Sequence, residues 1–252
     1  MLNQVTLDKM HAMRMPAMAR ELERQMCSSE IRELAFEERM GLLVDAEFSY
    51  REQTRLSSRL RLAKLRYPAS IEDVDFKVKR GLDRQVFLSL TDCQWIRDHG
   101  NVILTGSTGS GKSYLACALV EKACRMGKSA YYVRGPRLLH DLAVARGDGS
   151  YGRLLARLAK AELLAIDDWL LSPLKDSERR DLLEIIEERY QRAATLLAGQ
   201  LPVKEWHEAI GEPTLADAIC DRLIHGAHRI ELTGPSLRDR KQRGKASPTE
   251  SA

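Results

Sequence analysis

Gly106, Ser107, Thr108, Gly109, Ser110, Gly111, Lys112 and Ser113 reproduce the pattern G-x-x-x-x-G-K-[ST] without a misfit. The chemistry this spacing serves is the holding of a polyphosphate. Glycines let successive backbone N–H groups turn inward around phosphate oxygens. Lys112 is placed to reach the β- and γ-phosphates, and the Ser113 hydroxyl to ligate Mg²⁺. The flanking residues fit. Asn101 to Thr105 is a short apolar run that reads as a strand. From Tyr114 to Arg125, Leu115, Ala118, Leu119 and Ala123 recur at helical spacing. The phosphates would therefore sit on a helix N-terminus that includes Tyr114. A glycine-rich turn without a ligand is the bland alternative, and it leaves the lysine and hydroxyl unexplained.

A second chemical element follows about 55 residues after Lys112. Leu163 to Ile166 is an apolar strand that ends in Asp167 and Asp168. An apolar strand delivering acids beside such a loop is the Walker B arrangement. Asp167 would hold Mg²⁺ and Asp168 would orient or deprotonate the attacking water. Many strands end in an acidic turn, so the position relative to the loop carries this reading.

The elements that must hold these residues alternate. Ser129 to Val133 reads as a strand, Arg137 to Ala145 and Leu154 to Ala159 as helices, Glu178 to Arg192 as an amphipathic helix. Ala194 to Ala198 is another strand, Val203 to Ile210 and Leu215 to Ile224 are helices, and His228 to Leu232 is an edge strand. The alternation predicts an α/β fold with a doubly wound, mostly parallel sheet and its ligand at the C-terminal strand ends. Before it, residues 1–67 read as helical. Leu7, Met10 and Met13, then Leu22 and Met26, then Ile31, Leu34, Phe36, Met40, Leu43 and Val44 recur near helical spacing. The methionines read as core filler.

The chain has 252 residues, room for one large domain with an appendage. It shows no apolar run of membrane-span length, and Met1 to Met18 does not read as a signal peptide. Five cysteines without a CxxC pair point to reduced, cytoplasmic usage. Cys117 and Cys124 read as small core residues. The histidines have no metal spacing.

Net charge is only +4, but basic residues cluster. Arg51, Arg55, Arg59, Arg61, Lys64 and Arg66 face a single acid, Glu52. Arg238, Arg240, Lys241, Arg243 and Lys245 form a second cluster. Two basic segments flanking a nucleotide site predict a polyanion partner; a solvated helix face and an unstructured tail would also account for them.

Taken together, the loop, the acid pair, the segment Gly199 to His207 and the segment Pro213 to Leu223 resemble the IstB family. These are AAA+ ATPases of insertion sequences, similar to DnaC-type helicase loaders. The stretch Arg61 to Phe76 resembles that family's junction between N-terminal helices and ATPase core. The resemblance implies a helical N-terminal DNA-binding and assembly domain (1–67), an AAA+ P-loop core (68–237), a basic tail (238–252) and no C-terminal lid domain. It implies Gln200 at the sensor 1 position, although this chain has Ala198-Gly199 where the family often carries Thr-Ser. It implies Arg222 as an arginine finger acting on a neighbouring subunit's γ-phosphate, with Arg229 as the alternative and a simple pairing with Asp221 as the bland one. Ser236 to Arg238 resembles a reduced sensor 2.

The implied function is ATP- and Mg²⁺-dependent assembly as a homo-oligomer on double-stranded DNA, in aid of a transposase. A helicase loader is the alternative of similar fold. It would favour aromatic residues for base stacking, and the basic segments hold only Tyr50 and Tyr67 nearby. Duplex phosphates contacted by Arg51, Arg55, Arg59, Arg61 and Lys64 suit the composition better. A small-molecule kinase would need an acceptor pocket and a lid, and a non-hydrolysing ATP-gated scaffold would lack turnover.

Overall fold

The computed structural model describes residues 2–234, 236 and 237. The expectations for Arg238 and for the 238–252 tail lie outside the described residues. By its contacts the chain divides into two compact units, 1–58 and Arg59 onward. The sequence suggests a boundary at 67/68, where the helical region ends; the division instead falls within one helix.

The first unit is helical: α1 (Leu2–Ala12), α2 (Pro16–Cys27), α3 (Ser29–Arg32) and most of α4 (Phe36–Ala63). Proline at its first position suits the start of α2, where an N–H would lack a partner anyway. Met15 supplies no side-chain cap. Glu47 of α4 does so from a distance, accepting from the N–H groups of Ala17 (3.0 Å) and Met18 (3.1 Å). Leu7, Ala17, Ala19 and Leu43 are buried, but Met13, Leu34, Phe36, Met40 and Val44 are exposed. The periodic pattern thus overstates the core. A helical unit this small cannot cover every apolar residue its amphipathic pattern offers.

The second unit begins with the end of α4 and the short helices α5 (Arg84–Ser89) and α6 (Gln94–Arg97). It continues β1 (Asn101–Gly106), α7 (Lys112–Arg125), β2 (Ala130–Arg134), α8 (Gly135–Gly147), α9 (Tyr151–Lys160), β3 (Leu163–Trp169), α10 (Asp176–Arg189) and β4 (Ala194–Gly199). It closes with α11 (Trp206–Ile210), α12 (Pro213–Ile224) and β5 (His228–Leu232). The five strands are parallel, in the order β2-β3-β4-β1-β5. The chain thus first moves outward from β1 and then returns past it, which puts the switch point at the end of β1.

Both faces of the sheet are covered. Ile103, Leu164, Ile166 and Leu197 pack in one cluster with Leu138, Leu142, Ile185, Trp206, Ile219 and Leu223 of the helices α8 and α10 to α12. The alternate residues Val102, Leu104, Leu163, Ala165 and Leu196 are also buried, and α7 packs against β1 to β4. Strands buried on both faces read as continuous apolar runs, which is why they were legible. Cys117 and Cys124 lie buried in α7. Burial raises both thiol pKa values, that of Cys124 to about 11, so these are packing residues rather than nucleophiles.

Candidate functional site

The loop after β1 is shaped by three left-handed glycines, Gly106 (φ +142°), Gly109 (φ +82°) and Gly111 (φ +100°). Only glycine takes such angles without strain. Space constrains them as well: a Cβ on Gly106 would strike the Leu232 carbonyl and one on Gly111 the Arg80 guanidinium. Gly111 forms the N-cap of α7, so the loop runs directly onto a helix N-terminus with its positive dipole end. Lys112 is buried, and its Nζ donates to the carbonyls of Gly106 (2.7 Å) and Ser107 (2.8 Å). The ammonium is thereby held within the turn.

The two acids of β3 come to one side of the strand by an irregularity in it. In a regular strand Asp167 and Asp168 would face opposite sides of the sheet. Here the β3–β4 register shifts between Asp167 and Trp169, and Asp168 stands at φ +54°. Such a bulge redirects a side chain, and left-handed geometry at a non-glycine residue stores strain that concentrates at functional sites. One guanidinium nitrogen, Arg66 Nη1, lies 4.0 Å from Asp167 Oδ2 and 3.9 Å from Asp168 Oδ2, so both carboxylates share a side. Arg134 Nε, at the end of β2, donates to Asp168 Oδ2 at 2.6 Å. That hydrogen bond raises the Arg134 pKa. Asp167 is 1% exposed and accepts a 2.5 Å hydrogen bond from the Tyr132 hydroxyl. Burial, then this bond, push the Tyr132 hydroxyl pKa far up.

Gln200 follows β4 and its Oε1 accepts from Thr108 Oγ1 at 2.9 Å, which joins the segment after β4 to the loop. Gly199 is demanded by packing: a Cβ there would lie 2.9 Å from the Trp169 carbonyl oxygen. The departure from Thr-Ser thus belongs with the bulge in β3. Arg222 is elsewhere. The side chain of Asn101, the first residue of β1, donates to the backbone carbonyls of Arg222 (3.1 Å) and Leu223 (3.2 Å), so Arg222 lies at the end of the sheet away from the loop. Its Nη2 pairs with Glu187 at 3.1 Å, not with Asp221. Arg229 is in β5 opposite Ile103, its Nη2 on the Ile224 carbonyl.

Arg51, Arg55, Arg59 and Arg61 all lie on α4, and Lys64 just past its end. Arg51 pairs with Glu47 (2.7 Å) and Arg55 with Glu52 (2.6 Å). Arg59 Nη1 donates to the Cys124 carbonyl at 3.4 Å, and Lys64 stands 5.8 Å from the Tyr131 ring centroid. Exposed pairs such as Arg55–Glu52 contribute at most about 1 kcal/mol, so they do not commit the arginines to these partners.

A cavity of about 540 Å³ opens from Gly109, Gly111, Lys112, Ser113 and Tyr114. Its further wall is Tyr67, Asp73, Asp75, Arg80 and Leu237. Leu237 N donates to the Gly109 carbonyl at 2.9 Å and Ser107 Oγ to that of Gly234 at 3.4 Å, which fixes the segment after β5 over the loop. Tyr67, Asp73, Asp75 and Arg80 were not singled out from the sequence as lining of this cavity. The signal was the junction segment Ile71 to Phe76, whose placement beside the loop requires the fold. The cavity suits a nucleotide, with the phosphate cradle at one end and room for a nucleoside at the other. The donor set suits Mg²⁺: a serine hydroxyl (Ser113) and a buried carboxylate (Asp167) are hard oxygen ligands. Among the described residues no cluster of three or more His, Cys, Asp or Glu could hold a metal ion alone. A Mg²⁺ ion shared with substrate phosphates needs none. Nor is any described helix long and apolar enough to cross a membrane.

Comparison with known proteins agrees with this geometry. The family of IstB-like ATP binding proteins matches residues 8–246. A Sinorhizobium fredii protein, y4pL, named for the ATP-binding protein of an insertion sequence, is 50% identical over 98% of this chain and 100% of its own. A Pseudomonas aeruginosa protein named for the insertion sequence IS21 is 31% identical, covering 84% of this chain and 80% of its own. Among solved structures, DnaI superposes with a TM-score of 0.56 at 21% identity, covering 67% of this chain and 90% of that one. The DnaC helicase loader gives 0.52 at 17%, covering 59% and 87%. These two share the fold, an AAA+ P-loop core, and among the described residues no lid domain follows β5. A phosphate loop on a helix N-terminus, an acid pair on one side of β3 and a family match spanning nearly the whole sequence lead to one assignment: the chain belongs to the IstB-like ATP binding proteins.

Proposed function

We propose that this protein is an ATPase that assembles on double-stranded DNA with ATP and assists the transposase of an insertion sequence. The observation that carries hydrolysis, beyond binding, is the strained bulge that turns Asp168 to the same side as Asp167. A chain that only held ATP would need no second acid there. In this reading the loop N–H groups and Lys112 bind the triphosphate, while Asp168 positions the attacking water and accepts its proton. Gln200 orients the γ-phosphate end through its bond to Thr108. Mg²⁺ held by Ser113 and Asp167 would neutralise charge on the phosphates. Arg222, remote from its own loop, would stabilise the transition state of a neighbouring subunit, so the ATP sites lie between subunits. The arginines of α4 would follow duplex phosphates.

Transposition is supported by the relatives' names, which tie them to insertion sequences. The fold shared with the DnaC helicase loader favours a second reading, loading of a replicative helicase. The test is ATP binding and phosphate release by the wild type and by Lys112→Ala, with and without duplex or single-stranded DNA. The proposal expects binding lost in Lys112→Ala and turnover stimulated by duplex. Undiminished ATP affinity in the variant would refute the site, and stimulation by single strands alone would favour the helicase loader.

A further inference from the structure

Arg80 is 4% exposed on the wall of the nucleotide cavity. Its Nη1 donates to the Ser110 carbonyl at 3.2 Å and its Nη2 to the Asp75 carbonyl at 3.3 Å. Both acceptors are neutral, and among the described residues no carboxylate lies within ion-pair distance. Arg80 Nε is buried without a hydrogen-bond partner among the described residues, and so is Ser110 Oγ beside it. Burial lowers the Arg80 pKa, and Asp75 only partly offsets this.

A second buried arginine in the same unit shows the difference. Arg189 is 2% exposed and also lacks a carboxylate partner among the described residues. Its Nε donates to Thr195 Oγ1, its Nη1 to the Leu158 and Ala161 carbonyls and its Nη2 to the Ala194 carbonyl. That is a satisfied structural arginine, far along the sheet from the loop. Arg80 differs in its orphaned donor and in its place. It stands where only a glycine at position 111 leaves it room, directly behind the loop that cradles phosphate. Leaving a cation buried with an unmade hydrogen bond is costly. Bracing two carbonyls does not require a charge.

We propose that Arg80 is a positioning residue for the nucleotide, a buried cation behind Ser110 and Gly111 whose charge the bound phosphates compensate. This deepens the proposed function and rests on its ATP site. Arg80 makes the cradle more positive than the loop N–H groups and Lys112 do alone, and it fixes the Ser110–Gly111 peptide. Its effect must therefore grow with the number of phosphates on the ligand.

The test uses the full chain and competition of AMP, ADP and ATP against a fluorescent ATP analogue. The expected result for Arg80→Met is ATP affinity lower by about tenfold or more, AMP affinity much less changed, and thermal stability without nucleotide no lower than wild type. Arg80→Lys, which keeps the charge, should recover most of the loss. Should the Met variant fold poorly, Arg80→Gln removes the charge while keeping a donor for the carbonyls. Unchanged ATP affinity, an equal loss for all three nucleotides, or a loss that tracks reduced stability without rescue by Lys would overturn the assignment. A wild type that does not bind ATP would instead sink the reading of the cavity itself, and this inference with it.

Discussion

At the scale of single residues, the acid pair shows how chemistry is set by backbone. Asp168 stands at φ +54°, and the register shift beside it brings its carboxylate to the same side as that of Asp167. In the described state its carboxylate is held by Arg134 and approached by Arg66. Those arginines come from the end of β2 and from beyond α4, so in the proposed reaction their charge would be displaced or shared as Asp168 took up water. Asp168→Asn tests this role cleanly, because asparagine tolerates the left-handed region better than other residues. Tm should stay near wild type and ATP should still bind. Steady-state phosphate release should fall by about a hundredfold or more, the range ascribed to a general base. Turnover within twofold of wild type would remove Asp168 from the reaction.

At the scale of elements, the loop, the apolar strands and the order of helices after β1 were legible because each writes its own geometry into local sequence; α5 and α6 before β1 were not read. Glycines at 106, 109 and 111 announce left-handed angles, and runs such as Leu163 to Ile166 announce a strand buried on both faces. The bulge was not legible, since Asp-Asp-Trp carries no local signal for a register shift. Nor were the contacts of Arg66, Tyr132 and Arg134 with the acid pair or of Arg80 with Ser110, each made across 30 or more residues of sequence. Gly199 is the instructive case. From the sequence it is a departure from the family; in the structure it relieves the crowding made by Trp169. Gly199→Ser should therefore cost about 1–3 kcal/mol as overpacking, seen as a Tm lower by several degrees. Nucleotide affinity should fall less, since Gln200 can keep its bond to Thr108. A serine variant as stable as wild type would show that β3 and β4 separate freely at this point.

At the scale of the whole molecule, the proposal turns on what one chain does for another and for DNA. The α4 arginines follow one helical stripe at Arg51, Arg55 and Arg59. Each phosphate neutralised should contribute about 0.9 to the slope of log affinity against log salt. Replacing Arg55, Arg59 and Arg61 by Ala should flatten that slope by roughly 2 to 3 and weaken binding to every duplex sequence alike. ATP affinity should hold. An unchanged slope would direct the search for the DNA surface to the second unit, from Arg59 onward.

Arg222 sits at the end of the sheet away from its own loop and pairs there with Glu187, at most a weak attachment. The most direct measurement is therefore phosphate release by a mixture of two inactive variants, Lys112→Ala and Arg222→Ala, on duplex DNA with co-assembly verified. The Lys112→Ala subunit brings an intact Arg222 to the intact loop of the other. Each variant alone should be nearly silent, and the mixture should recover a clear fraction of wild-type turnover. A co-assembled mixture that stays silent while the wild type hydrolyses ATP would rule out action of Arg222 on a neighbouring subunit.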